Sequence, residues 1–167
     1  MGTRLKGGLT SDMVFAIYGS AAEFGPSNGS AQITPKTIKP KYEGRAVYEL
    51  FKKAGIRIYP VSRELRSIAG DKTYSSLSEV PVHVDALITC LSSSQAVAVV
   101  REAAAAGVSH IFFQPKTDSP EAIKLCESKG IQCAKGCMLS HWPVGGIKRL
   151  ISPCFYMGLG AEKLPAK

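Results

Sequence analysis

Residues 84–114 read VDALITCLSSSQAVAVVREAAAAGVSHIFFQ, and this stretch decides the fold. Val84–Leu91 is a near-continuous apolar run of strand length. Ser92, Ser93 and Ser94 follow it as helix N-cap residues. Ala96, Val97, Val100, Ala103 and Ala104 then fall on one face of a helix. Gly107 stops that helix, and His110–Gln114 is a second apolar strand. Strand, helix and strand joined by such tight turns form a βαβ unit, the building block of a parallel sheet.

The same grammar extends in both directions. Downstream, Ser119 and Pro120 are N-cap and first-turn signals for a helix through Lys129. Gly130 ends it and Ile131–Lys135 is the next strand. Upstream, Val47, Leu50, Phe51 and Ala54 have helical spacing, Gly55 ends that helix, and Ile56–Val61 follows as a strand. Met13–Tyr18 (MVFAIY) is the first strand and ends at Gly19. The expected fold class is α/β: a doubly wound, Rossmann-like three-layer sandwich with a five-stranded parallel sheet. Counting strands along the chain, the expected order is 3-2-1-4-5, with Met13–Tyr18 central. Val14, Ala16 and Tyr18 then face one side, and Met13, Phe15 and Ile17 the other. The Gly/Ser/Pro/Lys-rich stretch Gly19–Gly44 reads as a long loop. The boundaries are an N-terminal segment 1–12, the domain 13–141 and a C-terminal extension 142–167, whose end is expected to be mobile.

Composition narrows the function classes. The chain has 167 residues, 45% hydrophobic and 20% charged, which suits one globular domain and excludes a disordered chain. No apolar run approaches the roughly 18 residues of a membrane span. The first nine residues lack an apolar signal core, so no secretory leader is expected. Lys and Arg number 21 against 13 Asp and Glu, a net charge of +8, which favours anionic ligands. Five cysteines form an odd set (Cys90, Cys126, Cys133, Cys137, Cys154), read as free thiols in a reducing compartment. A cytoplasmic location is expected; a mitochondrial one is also compatible.

In an open α/β sheet, ligands bind beyond the carboxyl ends of the strands. Those ends are Gly19-Ser20, Ser62-Arg63, Leu91-Ser92-Ser93, Gln114-Pro115 and Gly136-Cys137, all small or polar. The first helix begins near Gly44 with Lys41 and Arg45 beside it, both expected to be exposed. Free N–H groups at a helix start favour phosphate; a solvated basic loop without ligand is the plain alternative. The P-loop signature and G-x-G-x-x-G are both absent. An NAD site wants an acid at the end of the second strand. This chain has Ser62-Arg63 there, where Arg63 suits a ribose phosphate as in NADP or coenzyme A. Tyr48 and Lys52 have the Y-x-x-x-K spacing of a dehydrogenase class, but their place on the first helix makes them surface residues.

Several stretches together resemble the small CoA-binding proteins, whose fold is similar to the CoA-binding domain of succinyl-CoA synthetase α subunits. They are VFAIYGSA at the first strand, KYEGRAVYELFKKAG at the first helix, IRIYPVSR where the family has a strand ending in PVNP, DKTYSSLSEVPVHVD, FFQP and the final GCML. The block Tyr74-Ser75-Ser76-Leu77, Val80-Pro81, Val84-Asp85 is the most specific. The resemblance covers Met13 to Cys137. It implies binding of coenzyme A or an acyl-CoA. It places pyrophosphate contact on Gly19 and Ser20, and phosphate and helix-start roles on Lys41, Gly44 and Arg45. The adenosine falls near the end of the second strand, Val61-Ser62, and Ser92, Ser93 and Gln114 line the crevice. Cys137 matches a cysteine the family carries after its last strand. Two departures stand out: Ser62-Arg63 replaces Asn-Pro, and the loop Ala21–Lys39 is longer than in the family.

The resulting expectation is a CoA-binding module without chemistry of its own, with no catalytic residue and no metal. The alternative is a small NADP-dependent oxidoreductase using Arg63. Nucleic acid is a poor partner for this chain, since no aromatic platform accompanies the charge. A homo-oligomer is compatible with either reading. Cys133, Cys137 and His141 recur every fourth residue but do not make a standard zinc pattern. Cys137 and His141 read as a packed thiol and a surface imidazole. Cys90 and Cys126 read as core, and His83 and His110 as structural.

Overall fold

The computed structural model describes Leu9, residues 12–25, residues 42–136, Met138 and residues 162–163. Five parallel strands carry the sheet: β1 (Phe15–Tyr18), β2 (Ile58–Val61), β5 (Ala86–Thr89), β6 (His110–Phe113) and β7 (Gln132–Lys135). A short β8 (Glu162–Lys163) adds an antiparallel partner to β7. A separate hairpin, β3 (Ser67–Ile68) and β4 (Asp71–Lys72), follows β2. The helices are α1 (Ala21–Phe24), α2 (Glu43–Lys53), α3 (Ala96–Ala105) and α4 (Pro120–Lys129).

Period-2 alternation along β1 splits the interior into two cores, one on each face of the sheet. Phe15 and Ile17 pack with Phe24, Val47, Tyr48 and Phe51 of α1 and α2. The rings of Phe15 and Phe51 meet edge to face at 5.0 Å. Ala16 and Tyr18 pack on the other face with Val100 and Ala103 of α3 and Ala122 and Cys126 of α4. Helices therefore cover both faces, which gives the expected three layers. Each fully buried Phe or Leu contributes on the order of 1.5–3 kcal/mol. The local signals around α4 act as the sequence predicts. Ser119 Oγ accepts the Ala122 N–H at 3.2 Å, Pro120 opens the first turn, and Gly130 ends the helix at φ 69°.

The sheet order is β2-β1-β5-β6-β7-β8, which corrects the expected 3-2-1-4-5. In chain order the parallel strands run 2-1-3-4-5. β1 is central, as expected, but β2 is an edge strand and β5 lies on the far side of β1. The cause is legible at Pro60. The Phe15 N–H bonds Arg57 O and the Gly19 N–H bonds Val61 O, so odd-numbered residues of this segment face β1 and even-numbered ones face outward. The carbonyl of Pro60 accepts the Tyr74 N–H on that outer side. A proline there has no N–H to give, which an edge tolerates and a central strand does not.

Two more expectations need correction. Within Gly19–Gly44, the first residues after Ser20 are not loop but the one-turn helix α1, which buries Phe24. The Ser92–Ser94 run does not cap α3 by side chain. A 3-10 turn, Ser93–Gln95, intervenes, and Ser92 Oγ bonds Ser94 Oγ and donates to Gln95 Oε1.

Candidate functional site

The strand order sets the place of the crevice. The chain passes from β1 to β2 on one side and then crosses back to β5 on the other side of β1, so the switch point lies between β1 and β5 at their carboxyl ends. Gly19 and Ser20 leave β1 there, and Cys90, Leu91, Ser92 and Ser93 leave β5 beside them. Ser62 and Arg63 leave β2 on the other flank of β1, and Gln114 leaves β6 on the far flank of β5.

Gly19 is buried and its N–H bonds Val61 O at 3.1 Å. A Cβ at this position would stand 2.9 Å from Phe24 Cε2 and Cζ, so the turn closes only on glycine. Ser20 is the N-cap of α1, and its carbonyl takes the N–H groups of Glu23 and Phe24. The Ala21 N–H donates to Glu64 Oε2 at 2.7 Å. Gly44 and Arg45 lie in the first turn of α2. Glu23 sits beside Gly44 at that turn; burial, and then Glu43, push the Glu23 carboxyl up, while the Gly44 N–H pulls it down.

Arg45 corrects the expectation of an exposed cation: its side chain is 0% exposed, with Nε 3.7 Å from Glu49 Oε1. Its neighbours on the same face of α2 are Tyr48, three residues on and also buried, and Glu49, four residues on. Lys41 lies outside the described residues, as does Cys137. Ser62 is buried, and its Oγ accepts the Glu64 and Leu65 N–H groups at 3.3 Å each. Its own N–H bonds Tyr74 O at 2.8 Å. The Arg63 side chain is 69% exposed and pairs with Glu102 Oε2 at 3.3 Å, over the face of Tyr18. Glu102 also takes the Tyr18 hydroxyl and the Leu77 N–H. A ribose phosphate at Arg63 has to compete with that carboxylate.

Gln114 is 97% buried in effect, at 3% exposure. Its Oε1 accepts the Met138 N–H at 2.9 Å, while its Nε2 has no hydrogen-bond partner among the described residues, like the buried Thr89 Oγ1 at the end of β5. A buried donor left so costs about 1–3 kcal/mol. An acceptor on a ligand, such as an amide carbonyl or a ring nitrogen, relieves that cost. Coenzyme A carries both kinds, so the residues present fit the group. Cys90, fully buried between β5 and α2, has its thiol pushed well up by burial first and by Glu23 and Glu43 next. Such burial is that of a packed thiol, and the shift disfavours the thiolate.

The Y-x-x-x-K pair is not a surface pair. Tyr48 is 2% exposed and its hydroxyl donates to Asp71 Oδ2 at 2.6 Å. Only Lys52 is exposed, and its Nζ donates to the same oxygen at 2.7 Å. Burial, reinforced by Asp71, raises the Tyr48 phenol, the wrong direction for a proton-transfer tyrosine. Cys126 is buried and Cys133 half-buried. Among the described residues no three His, Cys, Asp or Glu side chains cluster to hold a metal ion; Cys137 and His141 lie outside them. No described helix is long and apolar enough to cross a membrane.

The residue that sequence reasoning missed is Glu64. The acid expected of a dinucleotide site was sought at Ser62-Arg63, and it stands one residue further on, turned back onto Ala21 43 positions away.

Comparison with known proteins adds a family and a fold. The family described as CoA binding domain matches residues 37–143. No curated protein matches the chain. Among solved structures, Prb, the PH1109 protein redesigned for binding, is 20% identical with a TM-score of 0.61, covering 79% of this chain and 89% of that one. A hypothetical protein from Pyrococcus horikoshii is 19% identical with a TM-score of 0.58, covering 81% and 90%. A conserved hypothetical protein from Pyrococcus furiosus is 24% identical with a TM-score of 0.57, covering 74% and 93%. These structures share the Rossmann-like fold.

Proposed function

Because this chain belongs to the CoA binding domain family, we propose that it binds coenzyme A or an acyl-CoA at the β1/β5 switch point and performs no bond-making chemistry itself. The match over residues 37–143 carries the proposal, since that span contains the turn after β2, both serines after β5 and Gln114. The glycine turn after β1 precedes the matched span and is assigned on fold logic alone.

The roles follow from the donors present. Ser20, with Gly44 at the start of α2, offers backbone N–H groups to the pyrophosphate, and Gly19, whose own N–H bonds Val61 O, shapes the turn that presents them. Lys41 supplies positive charge there. Arg45 contributes from beneath, as a buried cation under the first turn of α2 and not as a direct surface contact. Ser62 and Arg63 border the adenosine. Ser92, Ser93 and Gln114 border the pantetheine arm, with Gln114 Nε2 as an amide donor. Cys137 follows the last parallel strand in sequence and lies outside the described residues. Among the described residues the thiol at the end of β5, Cys90, is raised and packed, and the Tyr48 phenol is tied to Asp71. Both observations support a binding role.

Titration calorimetry with thermal melting separates the readings. Coenzyme A and acetyl-CoA are expected to bind and to raise the melting temperature by mass action. NADP should do less and NAD least. Strong stabilisation by NADP with none by coenzyme A would overturn the proposal in favour of the oxidoreductase reading, in which Arg63 gives up Glu102 for a 2′-phosphate.

A further inference from the structure

We propose that Glu64 is an intramolecular competitor for the anion position at the Gly19–Ala21 turn, so that a phosphorylated ligand enters the crevice by displacing it. The inference rests on the CoA reading above and concerns how that site discriminates among anions.

The geometry is specific. Glu64 leaves the end of β2 and reaches across to the turn after β1, where its Oε2 accepts the Ala21 N–H at 2.7 Å. Its backbone is fixed by Ser62, whose Oγ takes the N–H groups of Glu64 and Leu65. The side chain is otherwise exposed. At the second turn of the crevice, Glu23 lies beside Gly44 at the start of α2. The Ala21 amide, placed where a ligand's phosphate would sit, therefore already faces a carboxylate of this chain.

A carboxylate and a phosphate oxygen compete for one N–H because each is an anionic acceptor of the same donor. They also repel one another at contact distance. Binding a phosphate here is consequently an exchange. The turn loses a charge-assisted bond to Glu64 before it makes one to the ligand. A single inorganic phosphate brings nothing to offset that loss. Coenzyme A brings three phosphates together with adenosine and pantetheine contacts, and tolerates it. Glu64 is exposed, so its carboxylate moves into water at small cost, which makes it the gate; Glu23, half-buried, does not leave so easily.

One other role would place the same carboxylate in the same turn. An acid beyond the second strand of a Rossmann sheet can accept a ribose hydroxyl. The two roles differ in sign. Removing a competitor tightens binding, and removing a ribose acceptor weakens it.

The test is titration calorimetry of the full chain and its Glu64→Gln and Glu64→Ala variants against coenzyme A, pantetheine and inorganic pyrophosphate, with Glu79→Gln as a charge control at an exposed acid paired with Ser75. Loss of one exposed charge-assisted contact predicts tighter coenzyme A binding by about three- to fivefold in both variants. Pyrophosphate should tighten by a similar factor. Pantetheine, which has no phosphate, should be unchanged, as should coenzyme A binding to Glu79→Gln. Coenzyme A binding detectable only in the Glu64 variants supports the proposal equally. If the parent binds coenzyme A and Glu64→Gln binds it equally or more weakly, the competitor role is overturned while the CoA reading stands. Pantetheine tightening as much as coenzyme A also overturns it, since the effect is then not on phosphate. No coenzyme A binding by parent or variants overturns both.

Discussion

The hairpin behind the candidate adenosine turn hangs on one buried phenol, and removing its hydroxyl tests how the fold holds the site. Asp71 on β4 accepts the Tyr48 hydroxyl at 2.6 Å and Lys52 Nζ at 2.7 Å on a single oxygen. Thr73, just beyond β4, then ties the hairpin to the turn after β2: its N–H bonds Arg66 O and its Oγ1 bonds Leu65 O. Tyr48→Phe removes the hydroxyl and lets Asp71 rehydrate, for a loss of about 1–2 kcal/mol. Asp71→Ala is expected to cost more, about 2–3 kcal/mol, because it leaves the buried phenol without its acceptor. Lys52→Met breaks only an exposed pair and should cost less than about 1 kcal/mol. For a chain of this length, 1 kcal/mol moves the melting temperature by about 2–4 °C, so all three variants are ranked by calorimetric melting. The Asp71 carboxyl is held below its ordinary range by Lys52 first and Tyr48 next. A depressed carboxyl stabilises above its unfolded pKa, and that contribution disappears as pH falls through the folded one. The gap between parent and Asp71→Ala should therefore narrow in acid, below about pH 4. Melting of Tyr48→Phe and Asp71→Ala indistinguishable from the parent at neutral pH would refute this account of the hairpin. The same variants should weaken coenzyme A binding only modestly, through the loosened Ser62–Leu65 turn.

Gly19→Ala puts a methyl group 2.9 Å from two Phe24 ring atoms; it should displace that ring, lower the melting temperature and weaken coenzyme A binding together, as read by melting and titration of the same sample. Arg45→Glu reverses a charge that has no exposure and places it beside Glu49; an uncompensated buried charge costs several kcal/mol, so the expected outcome in circular dichroism and melting is loss of folding, whereas Arg45→Gln should fold and bind coenzyme A less tightly.

The parallel core was legible because each of its parts carries a local signal. The Val84–Gln114 unit reads as strand, helix and strand from apolar run length, helical spacing and a terminating glycine, and the structure follows it to within two or three residues at each end. The helix face of α2 was read one step out of rotation. Val47 and Phe51 are in the core, but Tyr48 is buried where Ala54 was expected, and Ala54 is exposed. Residue type misled there: a tyrosine and an arginine beside acidic and basic neighbours look like surface, and the Tyr48 hydroxyl finds its partner, Asp71, only in the tertiary structure. α1 was not legible because four residues are too few for any period. Nor was β8, two residues in a segment without pattern. Glu64 could not be found by spacing, since its bond to Ala21 is a consequence of two strand ends lying side by side.

Pro60 shows how the fold and the site depend on one another. Had the order been 3-2-1-4-5, β2 would have had strands on both sides, and the outward position of Pro60 would have left one carbonyl of the ladder without its N–H. Placing β2 at the edge avoids that loss and frees the next crossover to land on the other side of β1. That choice creates the switch point beside the turn after β1. It also sets the turn after β2, which has no further strand beyond it, next to the same glycine turn, within reach of Ala21. The edge position of one proline-bearing strand thus opens the crevice between β1 and β5 and delivers Glu64 to its rim. Under the competitor role proposed for Glu64, the residue that discriminates among anions is placed by the topology of the sheet.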